Sequence, residues 1–130
     1  MDETAKEKIL VVEDDEITSH MLRYILEKEG YQITTAADGE EGLRMFVEDE
    51  PDLLLTDCLL PKMDGFKLVK KARDEQGEHT PIMMMSAIYR SGNYRQAAIE
   101  AGADEYMVKP FEPEELIQNI KRLLIKAADC

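Results

Sequence analysis

Apolar residues along this chain gather in two rhythms that take turns. Short, nearly unbroken apolar runs occur at "KILVV" (8–12), "YQITTA" (31–36), "DLLLTD" (52–57), "PIMMMS" (81–86) and "EYMV" (105–108). Runs this short suit strands, and the lack of polar alternation in most of them predicts strands covered on both faces. Between the runs, apolar positions recur at helical spacing. Ile17, Met21, Tyr24 and Ile25 share one face, Leu43, Phe46 and Val47 another, and Leu116, Ile120, Leu123 and Leu124 a third.

The boundaries carry their own punctuation. Asp15 is placed to cap the first helix, Asp38 and Glu41 form a capping-type pair, and Asp64 can cap the third helix. Pro113 suits the first turn of the last helix, and Gly30, Gly77 and Gly102 stand where helices should stop. The reading is β-α repeated five times, with parallel strands and helices on both faces. That is an α/β, doubly wound (βα)5 sandwich. Periodicity does not fix the strand order; the usual solution is the flavodoxin-like 2-1-3-4-5, with a switch point between the first and third strands.

With 130 residues the chain makes one domain, expected to span 8–128 behind a flexible tail of residues 1–7. No apolar run approaches membrane-spanning length and "MDETAKEK" is no signal peptide, so the expectation is a cytoplasmic protein without a membrane. Cys58 and Cys130 offer neither a disulfide framework nor metal-ligand spacing. A formal charge of −12, from 28 acidic and 16 basic residues, argues against direct binding to nucleic acid.

In open α/β sheets ligands sit beyond the carboxyl ends of the strands. Those ends carry Glu13-Asp14-Asp15, Asp57, Ser86 and Lys109-Pro110. Clustered carboxylates repel unless a cation intervenes, and an oxygen-only site of this kind suits Mg2+. Lys109 adds a positive charge for an anion and Ser86 a hydrogen bond. Together these are the parts that transfer a phosphoryl group to oxygen, with Asp57 as nucleophile.

The stretches "ILVVEDDE", "LLLTDCLLPKMDG", "MMMSA" and "AGADEYMVKPF" resemble, in order and spacing, the receiver domains of two-component response regulators, the CheY-like superfamily. The resemblance covers nearly the whole chain. It implies that Asp57 is the phosphoacceptor, that Glu13 and Asp14 hold Mg2+ with Asp57, and that the Leu59 backbone carbonyl is a further metal ligand. It also implies that Ser86 and Lys109 contact the phosphoryl group and that Lys109-Pro110 is cis. Tyr106 falls at the position of the aromatic switch that moves inward when the phosphoryl group draws on Ser86. Leu59 and Ile88 flank the approach of the water that ends the phosphorylated state. Two apolar side chains there imply slow decay.

The partners so implied are a sensor histidine kinase or phosphotransfer protein upstream and a downstream protein or fused effector domain. The chain is then a monomer or a phosphorylation-dependent dimer, and a signalling switch rather than a turnover enzyme.

A haloacid-dehalogenase-type phosphatase would need a second Asp where Leu59 stands. A flavin-binding flavodoxin would need a Ser/Thr/Gly-rich loop where "EDDE" stands. A pseudo-receiver that only binds partners is disfavoured by the intact set of acids, Ser86 and Lys109. Met83, Met84 and Met85 read as core, Cys58 as an inert thiol, His20 as an exposed helix residue and His79 as part of a polar loop. "IYRSGNYRQ" (88–96) reads either as an ordinary loop and first helical turn or, through Tyr89, Arg90, Tyr94 and Arg95, as a partner surface.

Overall fold

Each apolar run forms a strand: β1 Lys8–Val12, β2 Gln32–Ala36, β3 Leu53–Asp57, β4 Ile82–Ser86 and β5 Glu105–Val108. Each strand is followed by a helix: α1 Glu16–Lys28, α2 Gly39–Asp49, α3 Gly65–Gln76, α4 Gly92–Ala101 and α5 Pro113–Ala128. The computed structural model describes residues 6–76, 80–87 and 92–128. Gly77, His79, Ile88, Tyr89, Arg90, Cys130 and residues 1–5 of the expected tail lie outside the described residues.

All strand pairs are parallel, in the order β2-β1-β3-β4-β5. The register sets Val11 against Leu55, Leu55 against Met83 and Met83 against Glu105. Because successive side chains point to opposite faces, one sheet feeds two cores. Ile9, Val11, Leu53, Leu55, Met83 and Met85 pack with Leu22 and Leu26 of α1 and with Leu116, Ile120, Leu123 and Leu124 of α5. Leu10, Val12, Leu54, Ile82 and Met84 pack with Phe46 of α2, Leu68 and Val69 of α3, and Ala98 of α4. Nearly continuous apolar strands are what a sheet buried on both sides requires.

The helix faces follow the sequence pattern less evenly. All four apolar residues expected of α5 are buried. On α2, Phe46 is buried, Leu43 partly buried and Val47 exposed. On α1 the expected face is the wrong one: Ile17, Met21 and Tyr24 are 79%, 52% and 64% exposed. Leu22 and Leu26 face the sheet instead, with Thr18, Ser19 and Ile25 half-buried alongside. Leu22 and Leu26 join the core under this helix, so the stripe of Ile17, Met21 and Tyr24 is left outside.

The caps form as expected. The side chains of Asp15, Asp38 and Asp64 accept from the backbone N–H of Thr18, Glu41 and Lys67 at 2.9, 2.8 and 2.9 Å. Glu41 reaches back to accept from the Ala37 N–H at 3.1 Å. Gly30 and Gly102 close α1 and α4 at φ +96° and +124°, a region that favours glycine.

Arg73, near the end of α3, ties the far edge of the sheet together. Its guanidinium donates to the carbonyls of Gly102 at 2.9 Å and Thr80 at 2.6 Å, and to Asp104 at 2.8 Å. Asp104 in turn accepts from the Ile82 N–H at 2.8 Å. Among the described residues, no helix is long and apolar enough to cross a membrane.

Candidate functional site

At the carboxyl edge, β1 does not release the chain at once. The Glu13 N–H still bonds the Ala36 carbonyl at 3.0 Å, so Glu13 stays sheet-bound and its side chain is buried. One Glu13 oxygen accepts from the Asp15 N–H at 3.1 Å and the other from Lys109 Nζ at 2.6 Å. Lys109 Nζ also reaches Asp57 Oδ2 at 3.3 Å. The lysine arrives there because the Lys109 N–H bonds the Ser86 carbonyl at 2.9 Å, aligning the ends of β4 and β5. The Lys109-Pro110 peptide is cis.

The electrostatics of this group follow from burial and pairing. Burial pushes the Glu13 carboxyl above the usual range, against the hydrogen bonds from Lys109 and the Asp15 N–H and the attraction of the ammonium. For Lys109 burial acts downward. The hydrogen bond to Glu13 and the charges of Asp57 and Glu13 outweigh it, holding the ammonium above the usual lysine range.

Glu13, Asp14 and Asp57 bring carboxylate oxygens within 4.8 Å of one another, Asp14 from the exposed side. Three carboxylates against one ammonium leave an excess of two negative charges. A hard dication with oxygen ligands matches that excess, and the mixture of a buried and an open acid leaves room for water and phosphate. The donor set therefore fits Mg2+. Beside it opens a cavity of about 240 Å3, bordered by Asp14, Glu16, His20, Arg23 and Glu41 among others.

The remaining expected residues fall as follows. Asp57 ends β3 with its side chain 13% exposed. The Leu59 N–H points at Asp57 Oδ1 from 3.5 Å, and the Leu59 side chain is 42% exposed. Ser86 is buried at the end of β4. Tyr106 is buried in the core beneath α4, with Arg95 donating to its carbonyl at 3.2 Å and lying 6.0 Å from its ring centre. Ile88 lies outside the described residues. The fold thus gathers Glu13, Asp14, Asp57, Leu59, Ser86 and Lys109 at one edge and leaves Tyr106 in the layer below.

Of the tempting bystanders, His20 is exposed on α1. Cys58 is fully buried, and burial pushes its thiol up to about 12, well away from reactivity. In the segment 88–96, Arg95 pairs with Glu105 at 3.6 Å and Tyr94 is 39% exposed. Sequence reasoning missed the direct Glu13–Lys109 pair. No local pattern signals a contact between residues so far apart in the chain.

With this geometry in place, the likeness to known proteins is specific. The family model of the response regulator receiver domain matches residues 9–121. The chain is 42% identical over 117 residues to the alkaline phosphatase synthesis transcriptional regulatory protein PhoP of Bacillus subtilis, covering 90% of this chain and 48% of that one. It spans about half the length of most of the curated relatives it matches. Among solved structures it is similar to a CheY-like receiver domain protein from Methanospirillum hungatei JF-1, with TM-score 0.90, 33% identity, and coverage of 96% and 98% of the two chains. It is also similar to the receiver domain of the sensor histidine kinase PA1611 from Pseudomonas aeruginosa PAO1, with TM-score 0.84, 31% identity, and coverage of 92% and 98%. That structure holds a magnesium ion in its active site cleft.

Proposed function

Because the chain belongs to the response regulator receiver domain family, we propose that Asp57 is the phosphoacceptor of a Mg2+-dependent signalling switch. The observation that carries this reading is the Asp57 carboxylate, reachable from solvent yet held against Lys109 and within 4.8 Å of two further acids. When bound, Mg2+ supplies the positive charge that lets an anionic phosphoryl group approach three carboxylates. Glu13, Asp14, Asp57 and the Leu59 carbonyl would hold it.

The chain's own residues do the rest. An Asp57 oxygen attacks phosphorus while the bond from phosphorus to the donor's imidazole nitrogen breaks. The electron pair stays on that nitrogen, and the ring leaves as neutral imidazole when its other nitrogen carries a proton, or takes one up from water when it does not. Lys109 steadies the phosphoryl oxygens and Ser86 donates a hydrogen bond to one of them. The donor is a sensor histidine kinase or phosphotransfer protein. It meets the edge beside α1, where Ile17, Met21 and Tyr24 offer an exposed apolar stripe.

Output follows from the face of α4, β5 and α5. A phosphoryl group drawing on Ser86 changes the packing over Tyr106, which Arg95 joins to α4, and Glu105 joins Arg95 to Arg122 of α5. A downstream protein or a fused effector domain reads that face, as a monomer or in a phosphorylation-dependent dimer. Hydrolysis returns the switch to rest, slowly, because Leu59 and Ile88 offer an attacking water no hydrogen bond.

The test is incubation with acetyl phosphate and Mg2+, followed by intact mass and peptide mapping. The expected result is a gain of one phosphoryl group on Asp57, lost in Asp57→Asn and on chelation. Phosphate mapped elsewhere, or none, overturns the reading.

A further inference from the structure

The loop between β3 and α3 carries Leu59 and is fixed at both ends. At its base the Gly65 N–H bonds the Cys58 carbonyl at 2.8 Å, and a Cβ on Gly65 would fall 2.1 Å from the Asp57 carbonyl oxygen. At its tip the Pro61 carbonyl accepts from the Met63 N–H at 2.7 Å, around Lys62 at φ +69°. That is a γ-type turn in a left-handed region a lysine adopts only under constraint.

The constraint comes from another element. The Gly39 N–H, at the start of α2, donates to the same Pro61 carbonyl at 3.2 Å. A Cβ on Gly39 would stand 1.9 Å from the Met63 carbonyl oxygen and 2.7 Å from its carbon. Both are backbone atoms and cannot swing aside. Asp38 adds an ion pair to Lys62 at 3.7 Å while capping α2 through Glu41.

We propose that Asp38 and Gly39, the first turn of α2, are positioning residues that seat the Leu59 main chain against Asp57. Leu59 lies between the fixed base at Cys58 and the clasped tip at Pro61, so its peptide orientation is set from both sides. The clasp uses one of the orphan N–H groups of a helix start, which needs a partner in any case. The proposal rests on reading the Leu59 carbonyl as a metal ligand. It adds that the ligand's position depends on a different strand-helix unit.

Gly39→Ala is the direct test. Alanine favours the helix itself, so the cost falls on the loop, which must retreat from the new methyl group. The comparison is Gly30→Ala, whose φ of +96° penalises a side chain although nothing lies within 4 Å of its Cβ. Both variants should melt at lower temperature. Only Gly39→Ala should weaken Mg2+ binding, read by calorimetric titration, by about tenfold, the scale of losing an outer support of a metal site.

In the wild-type protein, the Gly39 and Leu59 amide resonances should shift together with one midpoint during Mg2+ titration, while Gly30 stays still. This measurement decides the matter even if Gly39→Ala does not fold. A Gly39 amide indifferent to Mg2+, equal affinity in Gly39→Ala, or equal loss in both variants overturns the clasp and leaves the metal site standing. A wild-type protein whose Mg2+ binding does not depend on Asp14 overturns both.

Discussion

Lys109 holds two carboxylates with one ammonium, at 2.6 and 3.3 Å, and the two contacts are not equivalent. Glu13 is buried, so losing its cation leaves a charge in a poor solvent, whereas Asp57 can turn towards water. Lys109→Ala should therefore keep the fold and drive Glu13 to take up a proton more readily still. Phosphorylation by acetyl phosphate should slow by about a hundredfold, as when one donor to a developing anion is removed. Stopped assays with quantification by mass measure this, and a wild-type rate would make the lysine a bystander. Leu59 supports a second expectation. It stands 42% exposed beside Asp57 without a polar atom in its side chain. The pair Leu59→Asn and Ile88→Glu supplies groups that can hold a water in line with phosphorus, an alignment worth a large rate factor. Loss of phosphate at saturating Mg2+ should be faster in the double variant, and equal or slower loss would contradict the account.

Among the elements, strands were far more legible than helix faces. The five strands lie where unbroken apolar runs predict them, because a strand buried on both sides leaves no choice of face. A helix must choose, and α1 carries two stripes. The pattern selected Ile17, Met21 and Tyr24 for their apolar character, but Leu22 and Leu26 are the residues that pack on the sheet. The site was legible in outline for the same reason as the strands, since each contributing residue follows directly on an apolar run. Its cross-links were not: the Glu13–Lys109 pair and the seating of Gly39 on Pro61 depend on register and loop shape, which sequence spacing does not encode. The exposed stripe has a consequence of its own. Met21→Glu should slow transfer from a phosphorylated histidine kinase that recognises the chain by about tenfold, the cost of spoiling one anchor of an interface. It should leave phosphorylation by acetyl phosphate unchanged. Equal slowing with both donors would place Met21 in the fold rather than in docking.

For the whole molecule, pH reports on the interior. Cys58 has its pKa raised by burial to about 12, while an unfolded thiol titrates near ~8.5. Below ~8.5 the thiol is neutral in both states and contributes no pH dependence. Above that value the unfolded chain releases a proton that the folded chain keeps, so stability falls as pH rises through the window up to about 12. Lys109 acts in the same direction, since its raised pKa makes its contribution one that is lost at high pH. Denaturant titrations at several alkaline pH values should show the slope reduced in Cys58→Ala, by up to about 1.4 kcal/mol per pH unit. An unchanged slope would assign the alkaline loss elsewhere.

The two edges of the sheet are also mechanically unlike. Arg73 bolts the far edge, gripping Thr80, Gly102 and Asp104 at once, so the end of α4 at Ala101 cannot travel without breaking several bonds to one side chain. The other end of α4, at Gly92, stands on the edge where β4 and β5 end at Ser86 and Lys109, the edge proposed to receive the phosphoryl group. The helix is a cantilever, fixed at its root and loaded near its tip. The expected displacement on phosphorylation is therefore smaller at Ala101 than towards Gly92, a gradient that amide exchange along α4 would read.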